Sequence, residues 1–104
     1  MIIGTILQQP NEVLDYDIQY ADFFSEFPAD SDGTKDTIAG QSGLDVKVEP
    51  ANELNAVVFY VSEERSKVVL RSGVAGMNYT VTVTMTSEAG RVKEDELIVV
   101  IEEF

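Results

Sequence analysis

The sequence predicts an all-β fold, an antiparallel β-sandwich of about seven strands of the immunoglobulin-like or fibronectin type III-like kind. Two observations predict it. Short segments that are apolar, or that alternate between apolar and polar residues, recur about every ten residues with turn residues between them. No segment shows the period of about 3.6 residues that marks an amphipathic helix. The runner-up is a small barrel, because short strands with similar spacing also occur there.

The clearest pattern lies in residues 68–101, which begin and end with apolar segments. Gly73 and Gly76 mark a corner after the first of these segments, and Gly90 marks a second, tighter turn. Between the turns, residues 79–86 carry apolar side chains at odd positions and threonine at even positions. Because successive side chains of a strand point to opposite faces, the odd positions are expected in the core and the threonines at the surface.

Tyr79 stands at the start of this alternating strand, just after the glycine corner. Sandwich domains place a tyrosine at such a corner, where its hydroxyl bonds back to the preceding loop. We therefore expect Tyr79 to form a tyrosine corner. An ordinary core tyrosine with its hydroxyl in water would fit the same pattern.

The first half of the chain also contains strand patterns. Residues 13–21 alternate between apolar and polar side chains and predict a half-buried strand. Residues 22–28 contain three phenylalanines and end at Pro28, which fits one helical turn or an aromatic-rich loop. Further strands are expected at 37–39, 44–49, 54–61 and 68–70, of which the first two could be one interrupted strand.

The chain divides into an N-terminal segment, residues 1–10, and a single sandwich domain, residues 11–104. The N-terminal segment is apolar but too short for a secretion signal or a membrane span. Because its side chains would be costly on an isolated monomer, we expect an extra strand or an arm that docks on a neighbouring subunit of a homo-oligomer. The expected contact residues are Ile2, Ile3, Ile6 and Leu7. No membrane partner is expected.

Composition excludes most catalytic chemistry. The chain has no cysteine and no histidine, so it lacks thiol nucleophiles, thiolate ligands for zinc and the commonest general base. We therefore expect no enzymatic activity and no cofactor. The 19 acidic and 7 basic residues give a formal charge of −12. This charge repels the phosphates of DNA and RNA, so no nucleic-acid partner is expected.

Two aspartates are weak candidates for a metal site. Asp30 and Asp32, followed by a glycine, resemble part of a calcium-binding loop. The complete loop needs a further oxygen ligand and a glutamate where this chain has Pro28 and Ala39. A solvated turn is therefore the expectation. The acidic run at 94–96 is likewise expected to be surface charge.

Several segments together resemble a known family. They are the aspartate-rich and aromatic segment 15–22, the Asp-Thr-Ile-Ala segment 36–39, the segment 72–84 and the Ala-Gly-Arg segment 89–91. Across residues 11–101 the chain resembles the short phage structural proteins known as fiber-tail adaptor proteins. It differs in having no tryptophan, with Tyr20 where relatives often carry one.

The resemblance implies a non-enzymatic virion protein that is made in the host cytoplasm and joins the tail or neck to fibers through repeated protein–protein contacts. Its partners would be other tail, neck or fiber proteins, together with further copies of itself. In addition to the four residues of the N-terminal segment, Phe23 and Phe24 are candidate contact residues.

Two other classes of function stay open at this point. A capsid decoration or cement protein would use the same sandwich on a shell lattice. A carbohydrate-binding sandwich would need exposed aromatic side chains that stack on sugar rings. The candidates for stacking are Phe23, Phe24, Phe27, Tyr60 and Phe104.

Overall fold

The computed structural model of the protein describes residues 1–28, 34–51 and 53–103. This part of the chain contains strands, one short α-helix and one 3₁₀ turn. They are β1 (Ile2–Gln8), β2 (Val13–Gln19), α1 (Ala21–Glu26), the 3₁₀ turn (Gln41–Gly43), β3 (Leu44–Glu49), β4 (Leu54–Ser62), β5 (Arg65–Ser72), β6 (Asn78–Thr86) and β7 (Val92–Ile101). The predicted seven-stranded sandwich is confirmed, and its strands form two open sheets rather than a barrel.

The two sheets have the strand arrangement of an immunoglobulin domain. The larger sheet has the order β1-β7-β6-β3 and the smaller sheet the order β2-β5-β4. Within the described residues the strand pairs are antiparallel, except that β1 runs parallel to β7. The first strand thus joins the sheet that holds the last strand, whereas β2 belongs to the other sheet.

Alternation along the strands builds the core. The odd positions of β6 and of the second half of β7 are almost inaccessible to solvent, while the threonines of β6 are partly exposed on the outer side. The buried aliphatic residues contributed by both sheets are Ile18, Leu44, Leu54, Val58, Val68, Leu70, Val81, Val83, Met85, Leu97, Val99 and Ile101. Each such side chain contributes about 1.5–3 kcal/mol when it leaves water.

Asp95 corrects the expectation that residues 94–96 are surface charge. β7 begins well before the apolar segment 97–101, so Asp95 lies on the inward face of the same strand. Its side chain is 1 % exposed, and its Oδ1 accepts a hydrogen bond from Lys93 Nζ at 2.5 Å. A buried carboxylate needs such a partner because an unpaired charge is costly to remove from water.

Residues 36–39 do not form the strand that the sequence predicts at 37–39. Ile38 makes an isolated bridge with Ser87, and its N–H donates to the carbonyl of Glu63 at 2.9 Å. Ser87 belongs to the β6–β7 turn and Glu63 to the β4–β5 turn. The segment therefore crosses one end of the sandwich and connects a turn of each sheet.

Asp36 fixes this segment to the β6–β7 turn. Its buried carboxylate accepts hydrogen bonds from the N–H groups of Thr37 at 2.9 Å and Ala89 at 3.1 Å, and lies 3.3 Å from the guanidinium of Arg91. Burial raises the pKa of Asp36, but hydrogen bonds from Ser87, Ala89, Thr37 and Arg91 outweigh burial, so the net pKa is lowered. Asp36 thus joins the Asp-Thr-Ile-Ala segment to the Ala-Gly-Arg segment.

The Tyr79 hydroxyl lies at the other end of β6. It accepts a hydrogen bond from the N–H of Val74 at 3.0 Å, which is the geometry expected of a tyrosine corner. In the same loop Gly73 has a φ of 101°, and a Cβ there would lie 2.9 Å from Cγ1 of Ile101. Gly76 and Gly90 also have positive φ, which residues with a side chain rarely adopt.

Replacing Tyr79 with phenylalanine should lower the free energy of unfolding by about 1 kcal/mol, because the N–H of Val74 loses this acceptor. Urea denaturation followed by far-UV circular dichroism measures the change. Tyr60→Phe, at an exposed tyrosine of β4, is the matched control and should change stability by less than about 0.5 kcal/mol. Equal midpoints for Tyr79→Phe and the natural protein would contradict a stabilising corner.

Asp36→Asn should lower the free energy of unfolding at pH 7 by about 2 kcal/mol, because a buried ion pair and charged hydrogen bonds are weakened. The folded-state pKa of Asp36 is lowered, so its contribution is complete above the unfolded pKa of about 3.9 and is lost as the pH falls through the folded value. The stability difference between the two proteins should therefore shrink below about pH 4.

The control for this series is Asp15→Asn, at an exposed aspartate of β2, which should change stability by less than about 0.5 kcal/mol. Urea denaturation of all three proteins between neutral and acidic pH provides the comparison. A stability difference between Asp36→Asn and the natural protein that stays constant down to the lowest pH would contradict this role of the carboxylate.

Candidate interaction surfaces

The apolar residues of the N-terminal segment divide between the core and the surface. Ile2 and Leu7 project from β1 and are 60 % and 53 % exposed, whereas Ile3 and Ile6 are partly buried against the core. β1 pairs with β7 at the edge of the larger sheet. Together with Met1, which is also exposed, this segment therefore presents three exposed apolar side chains beside a strand edge.

The phenylalanines of α1 and its C-terminal end lie in three different environments. Phe24 is buried in the core, Phe23 is partly buried and Phe27 is exposed. The ring of Phe23 lies 5.1 Å from that of Phe27 and 5.6 Å from that of Phe24. Phe23, Phe27 and the exposed Val92 form a surface that we call the aromatic patch. Together with Arg91 it lines a shallow cavity of about 350 Å³.

A further apolar surface, absent from the sequence-based expectations, lies on β4. Val57, Phe59 and Val61 are exposed, whereas Leu54 and Val58 on the same strand are buried. We call the three exposed residues the β4 face. β4 is an edge strand of the smaller sheet and contains no charged residue. The sequence could have predicted this surface. Residues 57–61 are apolar at both odd and even positions, and only one of these two sets can face the core of a sheet with one solvated face.

The basic residues are unevenly distributed over the sandwich. Four of the seven pair with described carboxylates, in the pairs Lys35–Glu64, Lys47–Glu49, Arg91–Asp36 and Lys93–Asp95. The other three, Arg65, Lys67 and Arg71, lie on β5, the strand that pairs with β4. On its other side β5 pairs with β2, which carries Asp15 and Asp17. The smaller sheet therefore combines an acidic, a basic and an uncharged strand.

Two clefts lie beside α1, and each contains one pair of a lysine with a carboxylate. The larger cleft, of about 550 Å³, is bordered by Lys35 and Glu64, whose charged atoms lie 2.5 Å apart. The second, of about 370 Å³, contains the Lys93–Asp95 pair. In the described part of the chain, no three acidic side chains converge in a way that could hold a metal ion.

Some predicted residues lie outside the described residues, namely the weak metal candidates Asp30 and Asp32 and the aromatic Phe104. Among the other candidates for sugar stacking, Phe24 is buried, while Phe27 and Tyr60 are exposed. No helix within the described ranges has the length and apolarity needed to cross a lipid bilayer.

Comparison with solved structures agrees with the immunoglobulin-like fold. The chain is similar to the crystal structure of the titin M3 domain, with 11 % sequence identity, a TM-score of 0.52, and coverage of 98 % of this chain and 90 % of that chain. At this identity the likeness shows the shared fold alone. No curated protein matches the sequence.

A family model matches residues 8–100, which is nearly the whole chain. Its description is "Podophage GP4 fiber-tail adaptor protein gp77". The matched range includes Tyr79 and both motifs that Asp36 joins. The chain therefore belongs to the podophage fiber-tail adaptor family, a family of structural virion proteins.

Proposed function

We propose that this protein is a non-enzymatic adaptor that joins the tail or neck of the virion to the tail fibers. The family match over residues 8–100 carries the proposal, because the family is one of fiber-tail adaptors. The protein is then made in the host cytoplasm and incorporated into the virion, where its partners are tail, neck or fiber proteins and further copies of itself.

The distribution of apolar surface supports a role in protein–protein contact. Single exposed apolar side chains are normal on a soluble domain, whereas groups of them mark contact sites. The aromatic patch at one end of the sandwich and the β4 face on the smaller sheet are two such groups. An adaptor needs separate surfaces of this kind, because it contacts two different structures at once.

Repetition strengthens contacts of this size. A small domain offers limited apolar area, so a single copy would hold its partner weakly. Several copies that bind the same assembly convert later binding steps into intramolecular ones, which raises the overall affinity without any new contact. The proposed adaptor therefore works as one of many identical copies.

Immunogold labelling of intact virions of the phage that encodes this chain tests the location. We expect gold at the tail or at the single vertex that carries it. The control is a phage in which the gene is inactivated, whose particles should carry neither gold nor fibers. Gold spread over the capsid faces would contradict the adaptor function and indicate a capsid decoration protein instead. Fibers on particles that lack the protein would contradict the adaptor role.

Two phenylalanine substitutions separate contact from core. Phe27→Ala removes an exposed ring of the aromatic patch, so stability should change by less than about 0.5 kcal/mol while fewer particles carry fibers. Phe24→Ala removes a buried ring and should cost about 3–5 kcal/mol of stability. Complementation of the gene-inactivated phage with each variant, together with urea denaturation of the purified variants, provides both measurements.

The matched control for Phe27→Ala is Val13→Ala, at an exposed apolar residue of β2, which should leave both stability and fiber attachment unchanged. Normal fiber attachment with Phe27→Ala would show that the aromatic patch does not contribute to the contact on which fiber attachment depends.

A further inference from the structure

The side chain of Gln41 occupies the open edge of β4. Its amide nitrogen donates a hydrogen bond to the carbonyl of Val58 at 2.9 Å, and its Oε1 accepts one from the N–H of Tyr60 at 2.7 Å. These are the two kinds of hydrogen bond that peptide groups of a neighbouring strand would make. Because β5 pairs with the opposite edge of β4, Gln41 takes the place of one further strand.

The contacts of Gln41 show which backbone groups of β4 face outward. In an antiparallel sheet, the N–H and C=O groups of alternate residues point to opposite edges of a strand. Val58 and Tyr60 bond to Gln41, so the even-numbered residues face the open edge. β4 pairs regularly with β5 from Leu54 to Tyr60, and the register shifts after Tyr60. The segment from Leu54 to Tyr60 is therefore the part that can accept another strand.

We propose that this edge is a strand-pairing site for a second copy of the chain, and that Gln41 closes it in the monomer. The β4 strands of two copies then run antiparallel about a two-fold axis at Val57, the middle of the regular segment. Val58 lies opposite Ala56 of the second copy, and Leu54 lies opposite Tyr60. The even-numbered residues of both copies meet and exchange hydrogen bonds, which joins the two smaller sheets into one.

The charge pattern favours a second copy at this edge. Each copy carries a formal charge of −12, so pairing is least costly where no carboxylates are brought together. β4 has no charged residue, and the neighbouring strand β5 carries Lys67 and Arg71. The edge strands β2 and β3, in contrast, each contain two acidic residues.

The remaining edge strand, β1, is also uncharged but is less accessible and less regular. The Tyr16 hydroxyl donates to the carbonyl of Ile3 at 3.1 Å, and the pairing of β1 with β7 shifts between Ile2 and Gly4. Bulges and covering side chains are common ways of preventing an edge from pairing. β4 is thus the edge strand with a long regular segment, no charge and an edge to which the side chain of Gln41 bonds.

Pairing would also cover apolar side chains of the β4 face. Val57 would lie opposite Val57 of the second copy, and Phe59 opposite Asn55. The apolar area removed from water favours the dimer, whereas the release of Gln41 in each copy opposes it. Because the favourable burial of apolar area is partly offset by the loss of the Gln41 hydrogen bonds, we expect the natural protein to form only a weak dimer. This inference rests on the homo-oligomeric part of the proposed function and names its contact.

Gln41→Ala is the first test, with sedimentation velocity over a range of concentrations as the measurement. Removal of the amide should favour association by about tenfold per copy, which lowers the dissociation constant of the dimer about a hundredfold. Ser42→Ala, in the same 3₁₀ turn, is the control and should behave as the natural protein. An unchanged dissociation constant for Gln41→Ala, or association beyond a dimer, would overturn the proposal.

A second pair of variants identifies the strand. In the Gln41→Ala background, Val57→Lys places two like charges at the two-fold axis and should restore the monomer. Val13→Lys makes the same change on β2, at the far edge of the smaller sheet, and should leave the dimer intact. All these positions are exposed, so the variants should fold, which circular dichroism verifies.

A dimer or larger oligomer that is insensitive to Val57→Lys would leave self-association standing and overturn the β4 contact. The labelling of virions depends on location alone, so it can fail or succeed independently of these measurements.

Discussion

Each sheet of a two-layer sandwich can bury only one of its faces, and the rest of this molecule depends on that constraint. The inward side chains of both sheets form one apolar core, which leaves, in the described part of the chain, two outer faces and four edge strands around that core. The edges are protected by different means. β2 and β3 carry charged side chains, the Tyr16 hydroxyl covers part of β1, and the Gln41 amide closes β4.

Buried carboxylates secure the end of the sandwich where α1 lies. Asp36 holds the crossing segment against the β6–β7 turn, and Asp95 pairs with Lys93 inside the neighbouring part of β7. Each carboxylate is paired with a cationic side chain, and Asp36 also accepts hydrogen bonds from backbone N–H groups. Neither is therefore an unpaired buried charge, and each holds its segment in a defined position. The same end carries the aromatic patch. The rings of Phe23 and Phe27 thus lie on a part of the fold that polar contacts hold in place.

The sequence was sufficient for the fold wherever one face of a strand is apolar and the other polar. The alternation in β2 and β6 predicted the buried face correctly, because with a period of two only one register places all the apolar side chains on the inward face. Asp95 was misplaced because the run 94–96 is uniformly acidic, although counting back in steps of two from Leu97 would have placed it inward. Alternation also identifies a strand without identifying its neighbour, so the parallel pairing of β1 with β7 could not be predicted.

The candidate surfaces were less predictable than the fold. Phe23 and Phe24 are adjacent in sequence, yet one contributes to the aromatic patch and the other to the core, because the helix α1 rotates successive side chains apart. The β4 face could have been found from its lack of polar residues. The contact of Gln41 could not, since an exposed glutamine in a turn has no distinctive pattern, and its partners Val58 and Tyr60 are brought near it only by the tertiary fold.

The parallel pairing of β1 with β7 also determines the order in which the molecule can be completed during translation. β1 leaves the ribosome first among the strands, but the strand with which it pairs, β7, is synthesised after all the others. Contacts between distant segments form late and slowly. Until β7 emerges, the nascent chain carries an uncharged apolar segment without a sheet partner, which is the kind of segment that aggregates with neighbouring chains. The larger sheet can therefore be completed only after the final strand has been synthesised.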